Sequence, residues 1–143
     1  MILKILKASQ WCYVHHLNRC GHFFEKLMIL VCGAHISGRA KIGKHVSFSH
    51  GGIGVIINPA AEIGDGCLIL PRVTIGNRYP HPGAPKLGKN VYVGVGAYVG
   101  GGISIGDNAK IGANSVVLID VPAGCTAVGI PAKIISSKNE RTK

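Results

Sequence analysis

Two histidines stand where this chain could do proton-transfer chemistry. His50 lies in "SFSHGGIGVIINP" (residues 47–59), followed by Gly51, Gly52 and Gly54. His81 lies in "GNRYPHPGAPKL" (residues 76–87), beside Arg78 and Tyr79. Imidazole, with an ordinary pKa of about 6.5, is the side chain best suited to take a proton from a hydroxyl near neutral pH. A single corner histidine is more often solvated or structural. Two histidines, each at an interruption of a regular pattern, make the stronger case, because loops thrown from a rigid scaffold are where binding and catalysis concentrate.

The pattern they interrupt has a period of six. Ile36, Ile42 and Phe48 form a first run, and Ile57, Ile63, Ile69 and Ile75 a second. Leu87, Val93, Val99, Ile105, Ile111 and Val117 form a third. Thirteen positions in phase cannot be chance, and a 3.6-residue helix would scatter them over different faces. A period of six suits short parallel strands joined by corners, with the aliphatic residue pointing into a narrow core. Glycine often follows that residue, as in Ile42-Gly43 and Ile63-Gly64, and is expected to supply corner dihedrals closed to other residues. The fold class expected is an all-β solenoid with a helical cap.

Phase is lost twice. Phe48 to Ile57 is nine residues, so three extra residues follow Phe48. Between Ile75 and Leu87 lie two hexads' worth of chain with three prolines, which predicts a protruding loop carrying Arg78, Tyr79 and His81. A coil is about eighteen residues, which places the two histidines about two coils apart. Residues 1–33 carry no hexad and read as one or two helices that cap the first coil, since an open solenoid end exposes core and unpaired edges. Lys4, Lys7, Arg19 and Lys26, with neighbouring leucines and Phe23 and Phe24, also permit peripheral membrane contact through this segment. Residues 34–135 are the solenoid, and residues 136–143 a basic, solvated tail.

The hexads, together with the closing "DVPAGCTAVGIPAKII" (residues 120–135), resemble the hexapeptide-repeat acyltransferases. That resemblance implies a left-handed parallel β-helix of triangular section, assembled as a homotrimer with active sites between subunits. Within the family, "SHGGIGVIIN" looks most like the serine acetyltransferase branch and its polysaccharide-biosynthesis relatives, and "VTIGNR" (residues 73–78) resembles the colanic-acid type. The resemblance makes His50 the general base and His81 a substrate-contacting loop histidine. Two departures accompany it: the positions where relatives place acids hold His35 and Ser49, so His50 lacks its expected carboxylate.

Such enzymes move an acetyl group from acetyl-CoA to an acceptor, which requires a base for the acceptor proton and donors for the oxyanion. Gly51, Gly52 and Gly54, and the later Gly94, Gly96, Gly100, Gly101 and Gly102, could supply backbone donors, although corner geometry alone explains most of them. By resemblance, the pantetheine arm lies near Val95, Gly96, Ala97 and Ala113. Ile119 stands where relatives often carry lysine, leaving Lys110 and Lys133 as replacements for phosphate contact. Serine acetyltransferases have a long helical N-terminal domain that about thirty residues cannot supply, which favours a saccharide hydroxyl as acceptor in surface polysaccharide assembly. Serine O-acetylation, a zinc lyase of the γ-carbonic-anhydrase kind and a non-catalytic assembly module remain alternatives.

Composition sets the outer bounds. The net charge of +10 implies anionic partners, but aromatics at 6% and the lack of any RNA-binding or helix-turn-helix signature argue against nucleic acid. Five cysteines without a CxxC favour a reducing cytosol over a disulfide framework. Cys12, His15, His16, Cys20 and His22 lie close in sequence, yet their spacings match no structural zinc pattern, so no metal is expected. Cys67 and Cys125 occupy repeat positions expected to be buried and inert, which speaks against an acyl-enzyme.

Overall fold

Each hexad makes one short strand and one corner, and three hexads return the chain to its starting face. The computed structural model describes residues 1–135, so the basic tail lies outside the described residues. Two helices, α1 (Ile2–Val14) and α2 (Asn18–Cys32), precede fifteen strands. One face, here called A, stacks β1 (His35–Ile36), β4 (Ile56–Ile57), β7 (Thr74–Gly76), β10 (Tyr98–Gly100) and β13 (Val116–Val117). Face B stacks β2 (Lys41–Ile42), β5 (Glu62–Ile63), β8 (Lys86–Leu87) and β11 (Ser104–Ile105). Face C stacks β3 (Ser47–Phe48), β6 (Leu68–Ile69), β9 (Tyr92–Val93) and β12 (Lys110–Ile111), followed by β14 (Thr126–Gly129) and β15 (Ala132–Ile135). All pairings are parallel except β14–β15, an antiparallel hairpin that ends the solenoid.

Register confirms the hexad reading. Ile36, Ile57, Ile75, Val99 and Val117 align on face A, with equivalent columns on the other two faces, and all of them point into one core. Ile36 pairs with Ile57, twenty-one residues on, and Ile75 pairs with Val99, twenty-four on. These are the eighteen of a regular coil plus three and plus six, so both interruptions leave at corners without disturbing the ladder.

The role expected of the hexad glycines is corrected by the structure. Gly43, Gly64, Gly94 and Gly106 are absent from the positive-φ glycines, so unusual dihedrals do not explain them. A Cβ on Gly64 would sit 2.4 Å from the Gly88 carbonyl oxygen, and one on Gly106 2.4 Å from the Ala123 amide. Glycine is needed there because the next coil passes too close for any side chain. The left-handed corner positions are held instead by His45, Arg72, Asn90, Asn108 and Asn114, interspersed with other glycines.

The cap closes the first coil by extending its core. Ile2 and Leu6 of α1 and Met28 and Cys32 of α2 join the same apolar cluster as the strand residues. One buried carboxylate fastens it. Glu25 on α2 accepts from the Ser37 hydroxyl at 3.0 Å and the Gly38 amide at 2.9 Å, while His22 lies 3.1 Å from its other oxygen. Burial pushes this carboxyl up, but the bonds from Gly38, Ser37, His22 and Tyr13 outweigh burial and hold it below the usual carboxylate range. Its stabilising contribution is therefore full above the ordinary carboxylate pKa and fades as pH falls through the depressed value. Glu25→Ala should lower stability by about 2–3 kcal/mol in urea denaturation at pH 7, since two buried donors lose their acceptor. The deficit should shrink under acid conditions, and equal deficits at both pH values would refute the assignment.

Candidate active site

The three residues inserted after β3 form a tight 3-10 turn, Ser49–Gly52, whose centre leaves helical geometry. His50 sits at φ 50°, ψ 38°, in the left-handed region that costs a non-glycine residue about 1–2 kcal/mol. His45, Arg72, Asn90, Asn108 and Asn114 share that conformation at regular corners and His16 shares it between the helices, but His50 alone adopts it within an insertion. Such strain persists only where its surroundings over-determine it. Gly51 and Gly52 continue the turn at φ 71° and 75°, and Ile2 Cδ1 lies 2.5 Å from where a Gly52 Cβ would be. The start of α1 thus packs directly onto the histidine turn. His50 itself is exposed and borders a cavity of about 220 Å³ walled by Met1, Ile2, Val31, Cys32 and Ile53.

His50 occupies the corner between faces C and A, and a backbone ladder runs from that corner through the coils. The Gly54 amide donates to Gly33, Arg72 to Ile53, Gly96 to Pro71 and Asn114 to Val95, all at 2.8–2.9 Å. Val95, Gly96 and Ala113 therefore lie along the same edge as His50. Ala97 is a correction. It is fully buried with its side chain in the core, its amide donates to Gly94 and its carbonyl accepts from Thr74, so it cannot line a bound chain with its side chain. Lys110 and Lys133 are exposed on face C, flanking this edge.

The second interruption leaves at the other edge of face A. Asn77 to Pro85 turn back on themselves, with Arg78 and His81 bridged antiparallel, and Tyr79 is 97% exposed. His81 is exposed and Arg78 half-buried. Tyr98, on the outward side of β10, donates its hydroxyl to the Asn77 carbonyl and so anchors the base of this loop. Its ring folds over Gly100, where a Cβ would come within 2.3 Å of it. Gly101 donates its amide to Gly76 at 3.0 Å, and Gly83 rests on Gly102. Gly100, Gly101 and Gly102, considered above as oxyanion donors for His50, instead carry the loop at a different corner. Sequence reasoning missed Tyr98 and Ile2. The first was signalled by an aromatic residue directly before "VGGG"; the second had no signal.

Within one protomer His50 and His81 do not share a cleft, because they stand at opposite edges of face A. Nor does any carboxylate of the described residues serve His50. Glu25 fastens the cap, and Glu62 lies between Lys41 and Lys86 on face B. Asp65, Asp107 and Asp120 accept from the amides of Lys44, Lys89 and Ser104. A groove of about 810 Å³ lies on face B beneath the end of α1, lined by Tyr13, Arg39, Lys41 and Glu62 among others. Its charged groups are already partnered, and none of the residues anticipated for chemistry reaches it. Cys67 is fully buried, its thiol pushed up by burial and donating to the Gly88 carbonyl at 3.1 Å; Cys125 is half-buried. Among the described residues no three metal-binding side chains gather.

A triangular parallel solenoid with a histidine held in a left-handed turn at an inserted corner defines the class, and comparison with known proteins agrees. Residues 84–118 match the model of the bacterial transferase hexapeptide (six repeats) family. A serine acetyltransferase of Helicobacter pylori is 42% identical over 134 residues, covering 87% of this chain and 78% of that protein. One of Synechococcus elongatus is 42% identical over 131 residues, covering 90% of this chain and 53% of that protein. The chain belongs to the hexapeptide-repeat acetyltransferase family, alongside the serine acetyltransferases. Soybean serine acetyltransferase complexed with serine superposes with a TM-score of 0.89 at 35% identity, covering 94% of this chain and 56% of that one. The Brucella abortus enzyme in complex with coenzyme A superposes at 0.90 and 28% identity, covering 94% and 54%. A mirror-image coil would not superpose, so the solenoid is left-handed. The chain spans about half the length of several of these relatives.

Tyr98→Phe should leave the fold intact and loosen the loop. One lost hydrogen bond, worth about 1 kcal/mol, predicts roughly fivefold faster amide hydrogen exchange confined to residues 77–85. Unchanged protection there would refute the anchoring role.

Proposed function

We propose that this chain transfers the acetyl group of acetyl-CoA to the hydroxyl of serine, with His50 as general base. The observation that carries the reading is the strained, exposed His50 on the same edge as Val95, Gly96 and Ala113. The space around Gly51 is open, which lets a substrate approach the imidazole closely. His50 takes the hydroxyl proton as the serine oxygen attacks the thioester carbon. The tetrahedral oxyanion collapses, the carbon–sulfur bond breaks, and the imidazolium returns the proton to the departing thiolate. Lys110 and Lys133 offer positive charge to the phosphates of coenzyme A, and Arg78 and Tyr79 contact the acceptor.

The acceptor is where the comparisons redirect the sequence-based expectation. The relatives described above are serine acetyltransferases, and one structural neighbour is complexed with serine. That support is for serine, not for a saccharide of surface polysaccharide assembly. A site using both His50 and His81 needs a second copy of the chain, because the two stand at opposite edges of face A. Exposed Ile53, Ile56, Leu68 and Tyr92 border the His50 edge and give that copy an apolar surface to cover. A homotrimer, as in the family, meets this requirement.

A thiol-release assay with acetyl-CoA and free serine tests the reading. The native chain should turn over, and His50→Ala should lower the rate by about 10²–10⁴-fold without changing the oligomer measured by light scattering. Near-native turnover of that variant would remove His50 from the mechanism; turnover with a saccharide but not with serine would restore the other acceptor. His81→Ala should raise KM for serine more than it lowers kcat, and the reverse pattern would place His81 in the chemical step.

A further inference from the structure

We propose that the outward side of the helical cap docks on an anionic lipid surface. α1 buries Ile2, Leu6, Ser9 and Cys12, and α2 buries Gly21, Glu25, Met28 and Cys32. Directly opposite those sides, at three- and four-residue steps, α1 presents Leu3, Lys7, Trp11 and Val14, and α2 presents Arg19, Phe23, Lys26 and Leu30. These are not marginal exposures: Trp11 is 57% exposed, Phe23 62%, Val14 73% and Leu30 84%. Large apolar side chains at that exposure, alternating with lysine and arginine, make up the composition of a helix lying in a membrane interface.

Charge decides the occupant. Lys4, Lys7, Arg19 and Lys26 are all exposed on the cap, whose single acid, Glu25, is buried and already bound to Ser37 and Gly38. A second copy docked cap to cap would set these cations against their own kind with no accessible carboxylate between them. An anionic leaflet satisfies both features at once, attracting the cations while the aromatic and leucine side chains enter the headgroup boundary. Among the described residues no helix is long and apolar enough to cross a membrane, and the contact proposed for the cap is a peripheral one. Cap docking is separate from acetyl transfer, since neither ridge includes a residue assigned to the reaction.

Trp11 is the one tryptophan of the chain, so its emission reports this face directly. The full chain is mixed with vesicles of phosphatidylcholine alone, or of phosphatidylcholine with about one third phosphatidylglycerol, at about 0.05 M and about 0.5 M salt. The expected result is a blue shift of Trp11 and co-sedimentation with the anionic vesicles only, weakened at high salt. Each basic residue near an anionic leaflet is worth about fivefold in partitioning, so the double variant Lys7→Glu, Lys26→Glu should bind at least about 25-fold more weakly. Its oligomeric state and thiol release with serine should match the native chain. Absence of binding to anionic vesicles overturns the proposal, as does equal binding to neutral ones. It is likewise overturned by native-strength binding of the double variant, or by a Trp11 shift that follows protein concentration without lipid.

Discussion

Everything in this molecule depends on one constraint: each coil must bring its inward aliphatic residue back into register with the one before it. The strands are only two to four residues long, and no pair of them would hold alone. Their stability is collective, spread over three columns of buried side chains and the parallel ladders behind them. A chain bound to that register can accept extra residues only at corners. The three after Phe48 and the six after Ile75 are therefore forced outward while the ladder closes again behind them.

The same constraint shapes the two departures differently. Three residues are too few to form a loop, so the insertion folds into a turn whose middle residue is His50 in a left-handed conformation. Six residues suffice for a loop, but one needing a foothold, which Tyr98 and the glycines at 100–102 supply. A rigid solenoid is thus converted into a strained imidazole at one edge of face A and a presented loop at the other. Because the two parts stand at opposite edges of face A, a single protomer does not bring them together.

The cap is more than a stopper. Ile2 packs on Gly52 beneath the histidine turn, and Glu25 holds α2 to the first coil, so the geometry around His50 is continuous with the docking of the helices. Any contact made by the outward side of α1 lies one helix thickness from that turn. The five described carboxylates are spent on such structural tasks, so none of them partners the His50 imidazole.

The six-residue period was enough to determine the solenoid, its inward columns and both interruptions, because an inward position repeats in sequence whenever it repeats in space. For the same reason the placing of His50 and His81 at the two interruptions of the ladder was legible. Corner identity was not legible: a histidine's place in the period does not say which edge its loop leaves from or what lies across it, and so Ala97 and the glycines at 100–102 were assigned to the wrong surroundings. The Tyr98 anchor and the seat of Ile2 on Gly52 join residues up to fifty positions apart without any repeat between them. Contacts of that kind exist only once the coils are stacked, and tertiary structure alone decided them.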